Sequence, residues 1–234
     1  MGFTQSNIEG AGGDWELAAT LNADMDALRS QRIQVLPLTG DLRRSKLAWK
    51  YAVLRQSLTY RLVDLVDAAV EQWGEGNSLA CMVLARAFFE TVAVVHFIEQ
   101  STRKALEAKD LGRLDQLAMQ ATFGGRSDYW RMDNDPAISV MTALDKLSRE
   151  LPRAREFYEH ISEVAHPNSQ GTHQFYSVTD TQRIEVTFSR EKRNRGKILG
   201  HLMAALIGLP WSIQKLADID ALIPQIADLQ SPAP

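Results

Sequence analysis

The sequence predicts a mainly all-α chain, a multi-helix up-and-down bundle with one inserted β-hairpin near 173–188. Three observations carry this. Most of the 234 residues fall into long stretches where apolar side chains recur at steps of three and four. Gly, Pro, Asn or Asp punctuates the ends of those stretches. One short stretch instead alternates β-branched and aromatic residues with polar ones.

In chain order, residues 1–13 are Gly- and Ser-bearing and are expected to form a flexible N-terminus. A single helical domain is expected over 14–225. Asp14 is placed to cap a first helix with Leu17, Leu21, Met25 and Leu28 on one stripe. Pro37 and Gly40 break the chain, and Asp41 to Trp73 reads as one long helix. Asn77 or Ser78 caps a second long helix running to about Lys109. Its middle, "LACMVLARAFFETVAVVHFI", is apolar on most sides and belongs at the centre of the bundle. "DLGRLDQLAMQA" is a short amphipathic helix. "TFGGRSDYWRMDNDP" is a loop carrying Tyr129 and Trp130. Pro136 and Pro152 are each expected to open a helix at its first turn, the second ending near His166-Pro167. Over His173 to Phe188, Ile184, Val186 and Phe188 alternate with polar residues and predict a hairpin turning near Asp180-Thr181. An isolated hairpin is marginal, so it should lie on the helices or pair across a dimer. A last helical region is expected from about Arg190 to Leu222 with a kink at Pro210, and 226–234 should fray.

The bulk numbers exclude several function classes. A formal net charge of −3 leaves no global basic field for nucleic acid, so such contact needs a local patch. Cys81 is the one cysteine, which rules out an internal disulfide and a Cys-based metal cage. No phosphate-binding glycine loop, dinucleotide fingerprint or nucleophile elbow is present. The most apolar window, Ile198 to Ile213, is short for a bilayer and contains His201 and Pro210, which favours a buried helix. His96 and His201 read as satisfied core or boundary histidines. The expectation is a cytoplasmic protein with no membrane contact, no cofactor and no metal.

The candidate chemistry is polar and helical. Arg86 and Glu90 stand four apart inside the apolar central helix, where a charged pair needs internal partners. On the later helix, "YEHISEVAHPNSQG", the residues Arg155, Tyr158, Glu159, Ser162 and His166 share about one face. The simplest arrangement brings the two polar faces together as a cluster of Arg86, Glu90, Tyr158, Ser162 and His166. Such a cluster is either a pocket, with His166 as general base and Arg86 holding an anion, or a network that fixes helix register. A basic run, "SREKRNRGK", offers Arg190, Lys192, Arg193, Arg195 and Lys197 to an anion such as RNA phosphate, or else is a solvated face.

"RAFFE" followed far downstream by "YEHISEVAHPNSQG" resembles a group of bacterial helical proteins with an Arg-x-x-x-Glu pattern and a later Ser-x-x-x-His-Pro pattern. The second is similar to the end of the HEPN domain, a helical bundle found in toxin, phage-defence and RNA-processing systems. The resemblance spans about residues 42 to 215. It implies an HEPN-like core, a homodimer, and in active members metal-independent RNA cleavage by Arg, a spacer of four to six residues, and His. Arg155 to His160 matches that spacing literally, as does Arg153 to His160. At the helix end, where the family's His normally sits, stands His166, with Ile161 in place of the Arg and Ser162 as the polar follower. The resemblance thus implies an RNA- or protein-binding accessory without catalysis. The alternatives are a homodimeric ribonuclease using Arg155, His160 or His166, and a small-ligand sensor beside Arg86 and Glu90.

Overall fold

A computed structural model describes residues 2–125, 136–189 and 195–231. It is an all-α, multi-helix protein with one inserted two-stranded hairpin among the described residues. The opening residues, expected to be flexible, are ordered. Phe3 and Ile8 are buried, and α1 (Gln5–Gly10) packs on α2 (Trp15–Ser30). Asn22 fixes them by accepting from the Phe3 N–H (2.8 Å) and donating to the Phe3 carbonyl (2.9 Å). Asp14 caps α2 through the amides of Glu16 and Leu17.

The long helix expected from Asp41 is interrupted. A short α3 (Gly40–Arg44) stops at Ser45, which is extended, and the Ser45 hydroxyl accepts from the Ala48 amide at 3.0 Å to start α4 (Lys46–Gly74). Asn77 caps α5 (Ser78–Glu107). This helix is the hub. It touches α4, α6 (Leu111–Phe123), α7 (Val140–Glu150), α8 (Ala154–Ala165), α10 (Arg195–Leu206) and α11 (Gly208–Gln230). By length and composition Ser78–Glu107 and Arg195–Gln230 are apolar enough to cross a membrane, and half of each apolar window, 50%, is buried in the bundle.

Neither proline opens its helix as expected. Pro136 bridges to Gly125, and α7 begins later, capped by Ser139. After Pro152 the chain makes a tight turn with Arg153 in the left-handed region (φ 75°), and the Ala154 N–H reaches the Leu151 carbonyl at 3.1 Å before α8 begins. The segment from His173 is first a helical turn, α9 (His173–Tyr176), and only then β1 (Ser177–Asp180), paired antiparallel with β2 (Glu185–Phe188). Asp180 forms the turn by accepting from the amides of Gln182 and Arg183. The hairpin's apolar residues are open within the chain: Ile184 is 91% and Phe188 73% exposed. At the other end the break falls at Ile207 rather than Pro210, which sits in the first turn of α11, where a missing N–H does no harm. α11 does not fray at 226; it runs through Pro224 to Gln230, with Ile226 and Ala227 buried against α4 and α6 residues. Tyr129 and Trp130, and the start of the last helical region at Arg190, lie outside the described residues.

Candidate functional site

The polar faces of α5 and α8 meet. The Arg86 Nε donates to Glu90 Oε1 at 3.0 Å, and Arg86 Nη2 donates to the Tyr158 hydroxyl at 3.1 Å. That hydroxyl in turn donates to Glu90 Oε1 at 2.9 Å, which closes a triangle. The guanidinium carbon lies 5.5 Å from the Tyr158 ring centroid. Arg86 and Glu90 side chains keep 26% and 24% exposure, so the triangle is half-buried. Burial opposes the Arg86 charge, but the Tyr158 hydroxyl and Glu90 outweigh it and hold the guanidinium above its ordinary value.

His166 joins from the end of α8. Its Nε2 stands 3.4 Å from Arg86 Nη1. A guanidinium has only protons to offer, so in a hydrogen bond between the two Nε2 is the acceptor. The following loop folds back to hold this end. Asn168 accepts from the amides of Gln170 (3.0 Å) and Gly171 (3.1 Å). Gly171 presses so close that a Cβ there would lie 1.9 Å from the His166 carbonyl oxygen, which explains the glycine closing this stretch. Ser162, on the same face of α8, is buried, and its hydroxyl has no partner among the described residues.

The literal Arg-to-His motif does not assemble. Arg155 bonds Glu159 and Asp145, each at 2.7 Å, towards α7. Arg153 pairs with Glu156 in solvent. His160 points the other way, its Nε2 3.3 Å from His201 Nε2 on α10. Arg155, His160 and His166 therefore face three different neighbours. Of the basic run, Arg195 lies over the Trp73 ring at 4.6 Å, facing the fold rather than an anion, and Lys197 is exposed; Arg190, Lys192 and Arg193 are outside the described residues.

Two features escaped the sequence. His96 is fully buried but not satisfied: among the described residues neither ring nitrogen has a hydrogen-bond partner, and Glu150 is 3.7 Å away. It sits on α5 beside Trp211, whose Nε1 is also unpartnered, and near a buried Glu99 that holds Arg103 and Lys215. His201, by contrast, is the half-buried boundary histidine expected, with His160 as its partner at 3.3 Å. The second feature is a cleft of about 820 Å³ between α8 and the α10–α11 break, floored by Phe89, Phe157 and Ile207. Its lining includes His160 but neither Arg86 nor Glu90. Among the described residues no three His, Cys, Asp or Glu side chains gather to hold a metal.

Burial, then His160 and Lys197, push His201 from 6.5 down to about 4. Burial also lowers His96. The unfolded chain therefore binds protons that the folded chain refuses. Stability present above pH 6.5 is lost as pH falls towards about 4. The melting temperature is expected to drop across that window, less steeply in His201→Gln; identical slopes in variant and wild type would remove His201 as the cause.

No protein-family model matches the chain, and no curated protein or solved structure does.

Proposed function

We propose that this chain is a non-catalytic, HEPN-like accessory of the bacterial cytoplasm that works as a homodimer by binding a protein partner. The closed Arg86–Glu90–Tyr158 triangle carries the reading. The cation and the carboxylate that a catalytic site would direct at a substrate are bonded to each other. The cluster clamps α8 to the central helix. Protein is favoured over RNA because Arg29, Arg44, Arg55 and Arg103 each already face a carboxylate, and the cleft is rimmed by acids that repel phosphate.

One observation favours the ribonuclease alternative. Arg86 stands 3.4 Å from the exposed His166, which sets an arginine of another helix beside the histidine whose own helix carries Ile161. The small-ligand sensor lacks such support, since the cleft lies beside other residues. The readings separate in a polarisation titration with labelled single-stranded RNA at low ionic strength. The accessory reading expects no saturable binding. Tight binding lost in Arg86→Ala would overturn it.

A further inference from the structure

The cleft beside α8 has a composition that selects its occupant. Its floor is apolar: Phe89 and Phe157 meet edge to face at 5.0 Å, with Leu151, Ala204 and Ile207 around them. Ile207, at the break between α10 and α11, is 57% exposed and continues the apolar lining out to the surface. The rim is acidic. Among the described residues, Glu156, Glu159 and Glu163 line it against the guanidinium of Arg153 and the ring of His160. These carboxylates stand on one helix at steps of three and four, a row of roughly 10 Å at about 1.5 Å per residue. The present partners of two of them, Arg153 and Arg155, form exposed bridges that are weak and readily exchanged.

We infer that this cleft is a docking groove for a cationic amphipathic helix of a partner protein, laid along α8. The identification rests on the protein-binding reading above and names its surface. A partner helix with Lys or Arg at matching three- and four-residue steps pairs with Glu156, Glu159 and Glu163. Its apolar stripe covers Phe157 and Ile207 and supplies most of the affinity, while the rim charges set orientation and encounter rate. A second copy of this chain fits less well. A twofold contact sets the patch against itself, and the acidic rows would face each other.

The test uses the full chain and two labelled helical peptides, one of Leu and Lys and one of Leu and Glu with the same apolar stripe. Anisotropy titrations should show the Lys peptide binding at least tenfold tighter. Ile207→Ser, and separately Glu156→Lys with Glu163→Lys, should each weaken it roughly tenfold. All three positions are exposed, but Glu163 accepts from Asn168 at 2.6 Å and Glu156 from Arg153 at 3.0 Å, so melting is recorded for each variant; should either melt early, the other decides alone. Failure of both peptides to bind, equal binding of both, or binding indifferent to both variants overturns the groove. So does light scattering in which Ile207→Ser turns a dimer into monomers, because a second copy then owns the surface. None of these outcomes alters the RNA titration, which judges the accessory reading separately.

Discussion

Glu99→Ala is expected to destabilise the protein by about 3 to 5 kcal/mol. Glu99 is 1% exposed and accepts from Arg103 at 2.6 Å and from Lys215 at 3.2 Å. Arg103 is half in solvent and can turn outward once its acceptor is gone. Lys215 cannot turn as freely: it is 17% exposed and lies 5.4 Å from the Trp211 ring centroid. Its ammonium would be left among His96, Trp211 and apolar walls without its buried carboxylate. For a chain of this size the loss lowers the melting temperature on the order of 10 °C. Urea unfolding should show the midpoint falling with an unchanged slope. A loss under about 1 kcal/mol would mean that Lys215 finds Asp218, now 3.8 Å away, as a full substitute.

Glu90→Ala should cost about 2 to 3 kcal/mol, less than Glu99 because the triangle is a quarter exposed. Two donors, Arg86 Nε and the Tyr158 hydroxyl, lose the same acceptor. The clamp account makes a sharper demand on the pair. Arg86→Ala and Glu90→Ala remove one interaction, so the double variant should lose less than the sum of the singles by about 1 to 2 kcal/mol. Strictly additive losses in a urea double-mutant cycle would mean that the two side chains only stand near each other.

The meeting of α5 and α8 was legible because two charges on an apolar helix need internal partners, and the later helix carries Tyr158, Ser162 and His166 on about one face. The caps at Asp14 and Asn77 followed from local chemistry in the same way. Other features depended on tertiary context. Ser45 divides a run whose apolar period continues unbroken on both sides, so only the cap marks the division. Phe3 and Ile8 look like stray apolar residues in a Gly-bearing tail until Asn22 anchors the backbone of Phe3. The His160–His201 pair and the cleft join segments some forty residues apart or more, and no single-sequence period reports such distances. The literal Arg155–His160 spacing misled for the opposite reason. Five positions along a helix turn the side chains well apart, and each found its own neighbour.

The most direct measurement incubates the purified protein with RNA in EDTA, beside Arg86→Ala and His166→Ala variants whose melting temperatures are recorded. The account predicts no cleavage by any of the three and a lowered melting temperature for Arg86→Ala. Cleavage by the wild type that disappears in a normally melting His166→Ala would contradict it and make Arg86 and His166 the centre of a ribonuclease.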